Sequence, residues 1–198
     1  HDLTIYAAHT NADNADGGLN YLLAEDLGLQ SVVSLAPMAD TLMELVTFVP
    51  TLEVEHVAKS LWQAGAGTIG SYDQCSFRGT GHGTFRALDG AQPFVGGIGE
   101  LHTELEERLS VTFPFYLQRQ VEQALLLSHP YETPAYSITR LQNTHPRIGA
   151  GVIGDLPHAE PTESFLRRIE SYFKTEQLRY SVTDKRQIQR VAICGGAG

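Results

Sequence analysis

The stretch Glu44–Pro50 (ELVTFVP) is followed 64 residues later by a similar one, Arg108–Pro114 (RLSVTFP). Each stretch is rich in β-branched and aromatic residues, which favour a β-strand. Each ends in a proline, which is well tolerated in the first turn of a helix because its missing N–H has no partner there. The chain therefore contains an internal repeat whose unit begins with a strand and continues into a helix.

A helix is predicted after each repeated strand, at about 53–64 and 116–128. Each helix is followed by a further extended segment, at about 68–77 and 134–140. In the first helix Val57 and Leu61 lie one turn apart on the apolar face. Val121 and Leu125 take the same places in the second helix. Two βαβ units in tandem predict a ferredoxin-like βαββαβ domain with its helices on one face of the sheet.

Glycine-rich segments separate the two copies. Gly79, Gly81 and Gly83 lie between two alternating runs, which favours a hairpin with a tight or mobile tip. The stretch 90–99, with Pro93 and several glycines, predicts a loop. A phosphate-binding role for the glycines is the weaker alternative, because a hairpin lacks the helix N-terminus that attracts anions.

The sequences on either side of the repeat predict a second fold. Strands and helices alternate there, which is typical of an α/β domain. The predicted elements are a strand at 3–8, a helix at 19–27, a strand at 148–153, a helix at 162–175 with Thr162 as its N-cap, and a strand at 190–194 covered on both faces.

The whole chain is therefore predicted to combine α/β and α+β parts. One α/β domain, formed by residues 1–40 and 143–198, is split by an insert at 41–142. Because the sequence begins and ends close to predicted strands and lacks an initiator methionine, it is interpreted as the middle of a longer protein.

The composition argues against several classes of protein. The 14 Lys and Arg residues against 23 Asp and Glu give a net charge of −9, without the basic cluster that nucleic-acid binding requires. No apolar run approaches the roughly 20 residues of a membrane span. Cys75 and Cys194 lie 119 residues apart without CxxC spacing, so a disulfide framework is not expected and a reducing, cytoplasmic setting is predicted.

Polar residues follow the first predicted strand. His9, Asn11, Asp13 and Asp16 place imidazole, amide and carboxylate groups at the edge where ligands collect in α/β sheets. Imidazole and carboxylate suit a divalent transition metal. Taken alone, however, these residues favour a structural interpretation, in which Asp13 or Asp16 caps the following helix and His9 is a buried, hydrogen-bonded histidine.

A second polar cluster is His129–Pro134 (HPYETP). A rigid turn after a helix is the favoured interpretation, and a catalytic pair of His129 and Glu132 is the alternative. Cys75 has no activating base nearby in the sequence, and Ser76 lacks the Gly-x-Ser-x-Gly context of a nucleophile, so neither is predicted to be catalytic.

Several motifs together resemble the Nif-three-like family, whose members are often called GTP cyclohydrolase I type 2 homologues. The resemblance covers essentially the whole chain. The motifs that carry it are Ala8–Asp13 (AHTNAD), Gly17–Asn20 (GGLN), Ala64–Gly70 (AGAGTIG), Tyr72–Phe77 (YDQCSF), Gly83–Arg86 (GTFR), His129–Tyr136 (HPYETPAY) and Val191–Gly198 (VAICGGAG).

The resemblance implies a split α/β domain that carries two divalent metal ions, such as Zn, Mn, Fe or Ni, and is interrupted by a PII-like or CutA-like insert. It implies that Asp13 is a metal ligand. His9 lies beside the family's site and is the second candidate, as a catalytic residue. The family's other ligands come from a paired-histidine segment upstream and from a His and a Glu downstream, and neither segment is present in this sequence.

The resemblance also implies a function. Two metal ions would support hydrolysis by activating a bridging water, with a nucleotide as the substrate suggested by the family's label. The alternative is a regulatory or scaffold protein whose insert binds a small ligand. Because PII-like and CutA-like domains characteristically form trimers, either function implies self-association into a trimer or hexamer.

Overall fold

The computed structural model describes residues 2–181 and 186–196. Its elements in chain order are α1 (Thr10–Asn14), α2 (Leu19–Asp26), β1 (Gln30–Pro37), β2 (Leu42–Pro50), α3 (Val54–Gln63), β3 (Phe77–Arg86), β4 (Leu101–Pro114), a 3-10 turn at Phe115–Leu117, α4 (Gln118–Ser128), β5 (Tyr136–Leu141), β6 (Gly149–Pro161), α5 (Thr162–Phe173) and β7 (Gln187–Ile193).

The chain forms two units. Residues up to Met38 and from His145 onward form the flanking unit, and Ala39–Thr144 form the middle unit. Each unit contains one antiparallel sheet. That one domain is inserted into another in the intact protein stays a prediction.

The middle unit contains both copies of the repeat. Its element order is β-α-β-β-α-β, and its sheet has the strand order β3-β4-β2-β5. This is the element order that the repeat predicts. Val57, Leu61, Val121 and Leu125, the apolar positions shared by the two copies, are all fully buried. The positions that the two copies share are therefore core positions of this unit.

One face of the middle sheet packs on the helices. Leu45 and Val49 of β2 and Leu109, Val111 and Phe113 of β4 form one apolar cluster with the buried side of α3 and α4. Since side chains alternate across a strand, the residues between these positions face the opposite side of the sheet. No helix of the middle unit contributes to that second face among the described residues.

Two predictions in the middle unit are wrong. Residues 68–76 form a loop rather than a strand, and Gly67 and Gly70 at its start have positive φ angles of 79° and 58° that a strand does not accommodate. The glycines at 79, 81 and 83 form no hairpin tip, because they lie inside β3 and pair with β4. The connection between these strands is at 87–100 instead.

The flanking unit has the strand order β1-β6-β7. Its core includes Tyr21 and Ala24 of α2, together with Val152 and Leu156 of β6. Helix α5 adds the half-buried Phe165 and Ile169. None of the described helices in either unit is both long and apolar enough to cross a membrane.

Three predictions in the flanking unit need correction. The stretch 3–8 is not a strand, and its apolar side chains are largely exposed. Thr162 is the first residue of α5 rather than its N-cap, which is Pro161. Strand β7 is not covered on both faces, because Arg190 and Ala192 are exposed on one face while Val191 and Ile193 are half-buried on the other.

Candidate functional site

Asn20 joins two segments that lie at opposite ends of the sequence. Its side chain is almost completely buried, with 1% exposed. The Nδ2 group donates a hydrogen bond to the Asp13 carbonyl at 2.9 Å, and Oδ1 accepts one from the Gly195 N–H at 2.7 Å. The amide therefore holds the end of α1 beside the glycine turn that follows β7.

The Asp13 carboxylate faces this glycine turn. Asp13 lies in α1 and is half-buried. A Cβ atom on Gly196 would stand 3.4 Å from Asp13 Oδ2, and Gly196 has a φ of +73°. A side chain at position 196 would therefore be strained by the backbone and would also occupy the space in front of the carboxylate.

His9 lies immediately before α1 and is exposed. Its Nδ1 atom is 2.9 Å from the hydroxyl of the adjacent Thr10. The alternative that His9 is a buried histidine is therefore wrong. Its catalytic role stays a prediction.

Asp16 has a structural partner. Its Oδ1 atom accepts a hydrogen bond from Arg147 Nε at 2.5 Å, and the Arg147 guanidinium also lies over the ring of Tyr21 at 4.2 Å. The N-cap of α2 is Gly18, without a side-chain hydrogen bond. The alternative in which Asp13 or Asp16 caps this helix is therefore wrong.

The donor set around Asp13 is incomplete for a metal pair. Within residues 2–181 and 186–196, no three His, Cys, Asp or Glu side chains converge on a point where they could hold a metal ion. A two-metal centre needs several ligands for each ion. The described residues alone do not fit such a centre, and Asp13 would supply one ligand of it.

His129 ends α4 in the middle unit. Its side chain is buried, with Nε2 at 3.0 Å from the Phe48 carbonyl and Nδ1 at 3.1 Å from the Tyr131 N–H. Nε2 must donate and Nδ1 must accept, so these contacts require the neutral imidazole. Glu132 accepts from the backbone N–H of Gln92 instead of pairing with His129. The cluster is thus the turn that the sequence favoured.

Acidification is expected to destabilise the middle unit through His129. Burial lowers the pKa of His129 below its ordinary 6.5, so the unfolded chain binds the proton more readily than the folded one. The stabilisation is complete above pH 6.5 and is lost as the pH falls toward the folded pKa. We expect the urea midpoint, followed by the fluorescence of Trp62, to fall between about pH 7.5 and about pH 5.5.

The matched controls separate His129 from the other histidines. His129→Gln keeps a donor for the Phe48 carbonyl but cannot titrate, so its midpoint should change less over the same interval. His56→Gln, at an exposed position of α3, should behave like the parent protein. An equal acid shift in the parent and His129→Gln would contradict this assignment.

A cavity of about 740 Å³ lies in the middle unit, on the side of the sheet away from the helices. Its wall includes the glycines of β3 and the buried carboxylate of Glu106. The Tyr131 hydroxyl donates a hydrogen bond to Glu106 Oε1 at 2.8 Å. This site was not predicted from the sequence.

Comparison with known proteins gives the family. The model of the family Duf34/NIF3 (NGG1p interacting factor 3) matches residues 1–198. The chain belongs to the DUF34/NIF3 family. This confirms the resemblance to Nif-three-like proteins.

Relatives within the DUF34/NIF3 family are considerably longer. A GTP cyclohydrolase 1 type 2 homolog of Bacillus subtilis is 40% identical over 199 residues, which cover 100% of this chain and 53% of the relative. A homolog of the same name from Mycobacterium tuberculosis is 37% identical, with 98% and 52% covered. The crystal structure of a Bacillus cereus protein related to NIF3 has a TM-score of 0.80 and 39% identity, and covers 100% of this chain and 52% of that one. The chain thus spans about half the length of these relatives.

The sequence of this DUF34/NIF3 chain predicts only part of the candidate site. The family resemblance implies a role for Asp13, whereas the sequence predicts no role for Asn20. The cavity was missed because alternating glycines were interpreted as a turn. Their spacing of two was the available signal, since three glycines at that spacing leave one face of a strand without side chains.

Proposed function

We propose that this chain is part of a metal-dependent hydrolase that acts on nucleotides, with Asp13 as a metal ligand and His9 as a catalytic residue beside it. Two divalent ions, such as Zn, Mn, Fe or Ni, would be bound by the intact protein. The observation that carries the proposal is the position of the Asp13 carboxylate, which faces the Gly196 turn across the buried Asn20 amide.

The local structure supports a ligand at Asp13. Its backbone carbonyl is occupied by Asn20, while its carboxylate has no hydrogen-bonding or ionic partner among the described residues. A carboxylate without a protein partner is free to bind a divalent cation, for which carboxylate oxygens are suitable ligands. The glycine turn opposite it leaves room for such a group.

The nucleotide part of the proposal comes from the relatives. Those of Bacillus subtilis and Mycobacterium tuberculosis are named GTP cyclohydrolase 1 type 2 homologs. This chain corresponds to about half of each, so the complete ligand set and the substrate pocket are properties of the intact protein.

Metal content tests the proposal. The intact protein, purified without chelators or an affinity tag, is expected to contain about two equivalents of metal by plasma mass spectrometry. Asp13→Ala should lose at least one of them and lose any nucleotide hydrolysis. Asp89→Ala removes an exposed carboxylate from a loop of the middle unit and should leave the metal content unchanged.

Unchanged metal content in Asp13→Ala would contradict the assignment of this ligand. No metal in either protein would favour the second candidate, a regulatory or scaffold protein in which a PII-like or CutA-like middle unit forms trimers or hexamers. The exposed aromatic residue Phe77 on the helix-free face of the sheet supports this second candidate.

A further inference from the structure

Strand β3 has a row of glycines on one face. Gly79, Gly81 and Gly83 are spaced by two residues, and none has a positive φ. Gly79 pairs with Arg108 and Gly81 with Glu106, so the row lies on the face opposite the helices. A Cβ atom on Gly81 would meet nothing within 4 Å. The backbone conformation therefore does not require glycine here. The absence of side chains at Gly79, Gly81 and Gly83 instead leaves this face of the strand open, and we call this open face the floor.

The cavity of about 740 Å³ lies over this floor. Its volume falls in the range that accommodates small organic ligands and cofactors. The walls are strongly aromatic, with the side chains of Phe48, Phe85, Phe94 and Tyr131. Tyr131 lies 6.1 Å from Phe85 and 6.2 Å from Phe94 between ring centroids. Flat glycine backbone and aromatic walls favour a planar ligand.

The cavity contains one buried acceptor. Glu106 is only 7% exposed, and its Oε1 accepts a hydrogen bond from the Tyr131 hydroxyl. Burial and this hydrogen bond raise the pKa of Tyr131, so the hydroxyl remains a donor. Oε2 lies over Gly83, where any Cβ atom would collide with it, and no described group donates a hydrogen bond to it. A carboxylate has about four lone-pair sites, so Glu106 can accept further donors.

A cation lies on the same face. Arg108 follows Glu106 by two residues on β4, roughly 7 Å away along the strand, and lines the same cavity. No described carboxylate pairs with Arg108. The other acid of the lining, Glu132, accepts from the Gln92 N–H. The cavity thus offers an acceptor at Glu106 and a positive group at Arg108.

We propose that this cavity binds a planar heterocycle with the 2-amino-oxopyrimidine edge that guanine and pterins share. Two neighbouring N–H groups of that edge donate to Glu106, the ring packs on the aromatic walls, and an anionic substituent reaches Arg108. A purely apolar ligand would leave the buried carboxylate uncompensated, and a simple anion would be repelled by it. The site lies in the middle unit, apart from Asp13, and binding requires no turnover.

Binding of guanosine monophosphate to the intact protein, measured by isothermal titration calorimetry, tests this site. We expect saturable binding, and about tenfold weaker binding of inosine monophosphate, which lacks the 2-amino group. Glu106→Gln keeps an acceptor for Tyr131 but loses the charge, and it should bind guanosine monophosphate about tenfold more weakly than the parent. Gly81→Leu fills the open floor and should abolish binding.

Three controls make the result specific. Glu107→Gln changes the next residue of β4, which faces the other side and bonds Thr80, so its binding should equal that of the parent. Asp13→Ala should also bind normally, which separates this site from the proposed hydrolase. Thermal unfolding verifies that each variant is folded. Absence of binding by the parent, or equal binding by folded Glu106→Gln or Gly81→Leu, would overturn the proposal.

Discussion

Replacement of Phe113 by alanine is expected to lower the free energy of unfolding of the middle unit by about 3–5 kcal/mol. Phe113 is 1% exposed and is the largest fully buried side chain described in the protein. It packs in the cluster between the sheet and the two helices. Its truncation removes buried apolar area and leaves a cavity that the surrounding helices and strands fill only in part.

Urea unfolding followed by Trp62 fluorescence measures this effect. Trp62 is the single tryptophan of the chain and packs against the same cluster, so its signal reports the middle unit. Phe77→Ala is the matched control, because Phe77 is 66% exposed at the start of β3. The control should shift the free energy by about 0.5 kcal/mol or less. Equal shifts in the two variants would show that the packing around Phe113 is not as described.

The fold of the middle unit could be predicted because the apolar positions of its two helices recur in both copies of the repeat. Val57 and Leu61 recur as Val121 and Leu125, and all four are buried. Strand β1 of the flanking unit carries no such pattern. Its sequence, QSVVSLAP, does not follow its burial, because the polar Ser34 is buried while the apolar Val33 and Leu35 are exposed.

An apolar run also proved insufficient at the beginning of the chain. Leu3 and Ile5 are 76% and 83% exposed, and no described strand pairs with this segment. A strand requires a partner for its backbone groups as well as apolar side chains. The sequence shows the apolar side chains of this segment, but it does not show that the segment has no partner strand among the described residues.

The two candidate sites differ in how far they could be predicted from local sequence, because they depend to different degrees on contacts between distant residues. The assignment of Asp13 as a metal ligand rests on the family resemblance of its motif, because the residues taken alone favour a helix cap. The role of Asn20 depends on Gly195, which is 175 residues away in the sequence. The glycine row of β3 forms a candidate site only because the strand register places Gly81 opposite Glu106. Local patterns do not contain these pairings.

Replacement of Asn20 by alanine is expected to release the glycine turn after β7 from α1. The substitution leaves the Asp13 carbonyl and the Gly195 N–H without their buried partner, which costs about 1–3 kcal/mol. We expect faster hydrogen exchange at the Gly195 amide and a lower unfolding midpoint. If Asp13 is a metal ligand, the metal content of the intact protein should fall as well. Asn11→Ala, at an exposed position of α1, should leave the exchange unchanged.

Asn20→Asp separates the two hydrogen bonds. Its carboxylate can still accept from the Gly195 N–H, but it has no N–H for the Asp13 carbonyl and places two acceptors against each other. Protection of Gly195 should therefore survive better in Asn20→Asp than in Asn20→Ala, while metal content should fall in both because Asp13 is no longer held. Unchanged exchange at Gly195 in Asn20→Ala would contradict the role of this amide. Retained metal in both variants would show instead that Asp13 keeps its position without Asn20.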